Sequence, residues 1–134
     1  MVSLKLSFES GKPLFIQLKE LMRTDIAAGK YSPGEKLPGV RDLALWANVN
    51  PNTMQRALSD LEAEGLLETR GTSGRFVCQD PAVIDGAKRQ ILGELAYSFL
   101  LKCRELGIDS SEAKQIIDII IKDSFEERND TENE

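Results

Sequence analysis

Between Pro33 and Val77 this chain has few ways to fold. Two short helical patterns follow each other across a tight turn and run into a glycine-rich hairpin. Val40, Leu43, Ala44 and Ala47 recur at helical spacing over about Val40–Trp46. Gly39 stands at the N-cap, where it is a weaker cap than Ser or Asp. Asn48 suits the left-handed residue of a tight turn. Asn50 then offers an N-cap, Pro51 suits the first helical position, and Val49 and Met54 are placed to form a hydrophobic staple. Met54, Ala57, Leu58 and Leu61 repeat at i, i+3, i+4 and i+7, and Gly65 ends the pattern. Two short strands, about Leu66–Arg70 and Arg75–Cys78, flank Gly71-Thr72-Ser73-Gly74. This order is that of a winged helix-turn-helix. One helix suits insertion into a DNA major groove, and a β-turn lies beside it.

The flanks complete the architecture. Residues 1–12 are mixed and read as extended, with Gly11 as a breaker. Pro13 opens a helix carrying Leu14, Leu18, Leu21, Met22 and Ile26, which Gly29 can close in a left-handed cap. After Asp80-Pro81 the character changes. Residues 82–106 read as a long apolar helix that Gly107 ends, and Asp109 with Glu112 resembles a capping box for the next. Ala113, Ile116, Ile117 and Ile120 form that helix's stripe, widened by Ile119 and Ile121. The expectation is a mostly α chain with a small β-hairpin. Residues 1–80 form the winged helix-turn-helix, residues 81–125 a two-helix dimerisation hairpin, and residues 126–134 a disordered acidic tail.

Charge and residue usage narrow the function. Histidine is absent, which excludes His-based general base catalysis and Cys/His zinc patterns. There is no P-loop or dinucleotide fingerprint, so no cofactor, no metal and no enzymatic role are expected. Cys78 and Cys103 read as two small buried hydrophobes. No stretch approaches the roughly 20 apolar residues of a membrane span, and no signal peptide is apparent, so cytoplasmic residence is expected. The net charge of −5 is unevenly placed. Residues 1–80 carry 10 Lys+Arg and 10 Asp+Glu, whereas residues 81–134 carry 7 and 12. The first part is neutral, so affinity for DNA depends on gathering its cations on one face.

The stripe on the third helix leaves Asn52, Thr53, Gln55 and Arg56 pointing outward, with Ser59 a turn later. Asn and Gln can bond bidentately to adenine, Arg to guanine, and Thr to a phosphate or thymine methyl. A plainly solvated helix face would mix both charge signs, but this one has no acid before Asp60. Arg41, at the start of the second helix, can reach a phosphate. In the wing Arg70, Thr72, Ser73 and Arg75 surround two glycines, where backbone approaches a phosphate and arginine enters a minor groove. Lys36 and Lys12 are further candidates.

PLFIQLKELMRTDIAAGKYSPGEKLPGVRDLA, VNPNTMQRALSDLEAEGLLETR and SGRFV, taken in that order, resemble the GntR family of bacterial transcription regulators over residues 13–77. The resemblance implies DNA contacts from Arg41, from the Asn50-Pro51-Asn52-Thr53 start of the third helix, from Gln55 and Arg56, and from the Gly74 turn. The short two-helix tail resembles the YtrA-type branch, whose members often regulate transporter operons. Gly39 departs from the family's common Ser, and Arg70–Gly74 departs from its plainer Gly-x-Gly wing tip. The resemblance also implies a homodimer, which size favours independently. A two-helix tail is too small to bury Ile91, Leu92, Leu95, Phe99, Ile116, Ile117 and Ile120 by itself.

The expected function is therefore a homodimeric repressor of a palindromic double-stranded DNA operator. The alternative is a winged-helix protein-interaction module, which the neutral charge balance favours. The tail allows a small-molecule effector, although no cluster of convergent polar groups marks a pocket for one.

Overall fold

The first helix starts where proline fixes the backbone. In the computed structural model α1 spans Leu14–Ala27, with Pro13 at the N-cap rather than inside the first turn. The structure describes the backbone of residues 8–132 and the side chains of residues 8–125. The extended start expected over residues 1–12 thus lies in part outside the described residues. Leu18, Met22 and Ile26 are buried along one face of α1, whereas Leu14 is exposed. Gly29, at φ +82°, lets the chain leave the helix, and the Lys30 amide donates back to the Asp25 carbonyl.

Helix α2 (Val40–Ala47) ends at Asn48, which takes the expected left-handed conformation at φ 54°. Helix α3 (Pro51–Ala63) begins at Asn50, whose side-chain oxygen accepts the Asn52 amide at 2.8 Å. Strands β1 (Leu67–Thr69) and β2 (Arg75–Val77) pair antiparallel in the register Leu67–Val77, Glu68–Phe76 and Thr69–Arg75. The first strand is a residue shorter at each end than the sequence suggests, and the second starts at Arg75 as expected but stops one residue earlier, at Val77.

Helix α3 is the centre of this unit. Its Met54, Ala57, Leu58 and Leu61 are fully buried against α1, α2 and β1. Each large side chain contributes about 1.5–3 kcal/mol by leaving water. Arg23 of α1 locks the far end of α3 with a bidentate pair to Glu64 at 2.6 and 2.7 Å. The core also takes Ala87, with Val83 and Ile84 packed on it. These belong to α4 (Pro81–Glu105), so the division into two compact units falls between Ile91 and Leu92, inside that helix, rather than at Pro81. The opening turns of α4 carry apolar side chains that the winged helix needs.

In the second unit Gly107 breaks the chain at φ +72°, and α5 (Ser110–Glu132) follows. The Asp109 carboxylate accepts the Glu112 amide at 2.9 Å. The backbone stays helical over 126–132, where disorder was expected. No glycine or proline follows Gly107, so nothing in the sequence stops the helix. Cys103 and Ala113 are buried near the turn. Of the apolar residues expected to need cover, Leu92 and Leu95 are each 64% exposed, Ile117 and Ile120 are exposed, and Ile91, Phe99 and Ile116 are half-buried. Both cysteines are free and buried. No helix among the described residues is long and apolar enough to cross a membrane.

Candidate nucleic-acid interface

Burying Met54, Ala57 and Leu58 turns the opposite side of α3 outward. Asn52, Gln55, Arg56 and Ser59 are exposed there and Thr53 is half-buried. The Asn50 side-chain oxygen accepts the Asn52 amide in the cap, which leaves its amide hydrogens and one lone pair for an outside partner. Arg56 is held from below, with its guanidinium carbon 3.6 Å from the centre of the Phe15 ring on α1. Gln55 is held at both ends. Its Nε2 donates to Ser59 Oγ at 3.3 Å, and its Oε1 accepts from Arg75 Nη1 at 3.3 Å.

The wing tip is a tight loop. The Ser73 amide donates to the Arg70 carbonyl at 2.9 Å, and the Arg70 amide to the Gly74 carbonyl at 3.0 Å. Gly74 sits at φ +118°, and a Cβ there would lie 3.0 Å from Lys36 Cε, so no other residue fits unstrained. Thr72 and Ser73 are exposed at the tip. Arg70 lies over the Phe76 ring at 4.5 Å and reaches Glu68 at 3.4 Å. Arg75 differs from the wing arginine that the sequence suggests. Its side chain is only 16% exposed and turns back onto α3, with Nε 3.6 Å from Glu62 Oε2. It belongs to the junction between wing and helix. The Thr69 side chain, then the Arg75 charge and the Thr69 amide that donates to Oε1 at 3.1 Å, lower the Glu62 carboxyl pKa from its ordinary value against the opposing effect of burial.

Ion pairing answers the neutral charge balance. The acids on the C-terminal half of α3 are all engaged: Asp60 with Lys19, Glu62 with Arg75, and Glu64 with Arg23 and Lys19. Lys12 pairs with Glu20, and Lys30 with Asp25. Among the described residues before α4, Lys36, Arg41 and Arg56 are the cations outside these ion pairs. They stand at the wing, at the start of α2 and on the outward face of α3. A groove lined by Lys36, Pro38, Gly39, Ser73 and Gly74 joins the start of α2 to the wing tip. Gly39 offers no side-chain cap, so the first amides of α2 have no side-chain acceptor from it.

Phe15 and Glu62 escaped the sequence analysis. Phe15 carries a faint signal, an aromatic one step off the apolar stripe of α1. Glu62 carries none, because its partners come from a strand pairing that spacing does not reveal.

The family model for bacterial regulatory proteins of the gntR family matches residues 16–77. YhcF, an uncharacterized HTH-type transcriptional regulator of Bacillus subtilis, is 34% identical over 105 residues, covering 78% of this chain and 87% of that protein. The chain belongs to the GntR family. The B. subtilis transcriptional repressor YtrA is 28% identical over 116 residues, 85% of this chain and 88% of its own, so the similarity continues into the tail. A GntR family transcriptional regulator from Listeria monocytogenes matches with a TM-score of 0.78 and 32% identity, covering 86% of this chain and 98% of that one. The AraR DNA-binding domain, solved in complex with operator ORX1, matches with a TM-score of 0.52 and 30% identity over 56% of this chain and 96% of its own. This GntR-family protein is a DNA-binding transcription regulator with a winged helix-turn-helix fold.

Proposed function

We propose that this GntR regulator is a cytoplasmic, non-enzymatic homodimer that represses transcription by occupying a two-fold symmetric operator. The observation that carries the proposal is the sorting of charge on α3. Its outward N-terminal half has no acid, and its C-terminal acids are neutralised by α1 and the wing. In this reading Asn52, Thr53, Gln55 and Arg56 enter the major groove, with the free amide of Asn50 beside them. Arg41 and Lys36 meet phosphates. Arg70, Thr72, Ser73 and the backbone at Gly74 approach the adjacent strand. Repression is supported by the relative YtrA, which is a transcriptional repressor.

The second unit supplies the partner contact. Leu92, Leu95, Phe99, Ile117 and Ile120, with Ile91 and Ile116, offer an apolar surface that one hairpin leaves open. The groove between α4 and α5, lined by Leu95, Phe99, Ala113, Lys114, Ile117 and Asp118, seats the partner's helices rather than an effector. A two-fold dimer matches a palindromic site.

Salt dependence of operator binding tests the whole reading. A dimer contacting roughly 6–10 phosphates should show log affinity falling against log salt with a slope of about −5 to −9. A flat response would favour the protein-interaction module instead.

A further inference from the structure

Gln55 is an exposed residue on the outward face of α3, yet both ends of its amide are already held. Oε1 accepts from Arg75 at 3.3 Å and Nε2 donates to Ser59 at 3.3 Å. A glutamine amide has two acceptor lone pairs and two donor hydrogens. The two contacts use one of each. What remains is one acceptor and one donor, side by side, which is the complement of the adenine edge in the major groove. Turning the amide over would set its NH2 against the Arg75 guanidinium, donor against donor. Arg75 therefore fixes which way the amide faces.

Arg75 is itself fixed. It pairs across the hairpin with Thr69, its Nε lies 3.6 Å from Glu62 Oε2, and its side chain is largely buried. Glu62 is anchored in turn by the Thr69 amide at 3.1 Å. The planar guanidinium turns separate nitrogens toward Gln55 and Glu62 in a fixed fork, with Nη1 donating to Gln55 and Nε in the ion pair, a geometry that a compact ammonium does not reproduce. We propose that Arg75 is a positioning residue: it presets the Gln55 amide for adenine and so makes the wing part of base selection without touching a base. This rests on the proposed reading of the α3 face.

The test is affinity for an operator series carrying each base pair at every half-site position, measured with the full-length chain at several salt concentrations. Gln55→Ala should remove preference at one base pair per half-site, roughly 5- to 150-fold. Arg75→Met should lose preference at that same base pair, leave the salt slope unchanged, and add nothing further there when combined with Gln55→Ala. Should Arg75→Met fail to fold by circular dichroism, Arg75→Lys carries the test. It keeps the charge but should still weaken preference at that base pair, and wild-type selectivity in it would overturn the proposal. A salt slope that drops by about 1 per lost phosphate contact, with all sites weakened alike, would make Arg75 a phosphate contact and overturn it too. Additive losses from Gln55→Ala and Arg75→Met would overturn the proposal and leave the reading of the α3 face standing. If Gln55→Ala changes no preference anywhere, both this inference and the reading of the α3 face fail.

Discussion

Leu61 and Leu95 are the same residue in two regions that treat it in opposite ways. In the winged-helix unit Leu61 is fully buried under α1 and β1, while in the second unit Leu95 is 64% exposed. The first unit closes its core within one chain and turns its polar face outward for a charged partner. The second is richer in leucine and isoleucine, yet among its described residues only Cys103 and Ala113 are buried apolar side chains. Apolar composition alone therefore does not make a domain; it has to meet a second face. In the proposed dimer that face belongs to the other protomer, and the two regions answer to different perturbations.

The largest expected effect lies in the second region. Ile117→Asp should place an unpaired charge in the proposed dimer contact and cost several kcal/mol of association. The variant should sediment as a monomer while the winged helix keeps its helical circular dichroism. Operator affinity should fall by about 10²- to 10⁴-fold, because two half-sites are no longer bound as one unit. Tight binding of the full operator by a monomeric Ile117→Asp protein would break the comparison.

Matched substitutions sharpen it. Leu61→Ala should lower the unfolding free energy by about 2–5 kcal/mol at any protein concentration. Leu95→Ala should barely change unfolding of a dilute monomer, by about 0.5 kcal/mol or less, and instead raise the concentration at which the dimer forms. Denaturant titrations at two protein concentrations distinguish the pair. Equal, concentration-independent losses would show that the second unit has a closed core of its own.

On the outward face the effects are smaller. Arg56→Ala should cost about 1–3 kcal/mol on the operator and relax preference at one position per half-site. Phe15→Leu leaves Arg56 in place but removes the ring beneath it. Its cost should be about 0.5–1 kcal/mol, seen as weaker operator binding with unchanged thermal stability. A larger loss from Phe15→Leu than from Arg56→Ala would mean that the ring serves the fold instead.

Local chemistry was legible in the sequence, and long-range pairing was not. Asn48, the Asn50 cap, the Met54–Leu61 stripe and the Gly74 turn follow from spacing and backbone preference, and the structure places each as expected. The boundary at Pro81 looked natural because proline and a change in composition coincide there. Only packing reveals that Ala87 completes the first core. Arg75 looked like a wing-tip cation because its neighbours are glycine and serine. Its direction depends on Thr69 across the hairpin and on Glu62 one element away, and neither is a neighbour in sequence. The polar groups proposed to face DNA follow by elimination, as what the apolar stripe leaves over. Elimination says which side a residue is on, not what already holds it.

The smallest expected effect tests the junction that sets wing against helix. The Thr69 hydrogen bond, with Arg75 nearby, depresses the Glu62 carboxyl pKa in the folded state. A group shifted this way contributes stability above its unfolded pKa, about 4.3 for glutamate, and that contribution is lost as pH falls through the lower folded value. Glu62→Gln should therefore reduce thermal stability slightly at pH 7 and show less loss than wild type between about pH 5 and 3. The group is partly open to solvent, so the difference should be modest. It should be concentrated in the wing, where amide exchange at Thr69 would speed up in the variant at neutral pH. Identical acid profiles for the two proteins would mean that Glu62 merely lies near Arg75, and that the wing is held on α3 by Leu67 and Val77 in the core and not by charge.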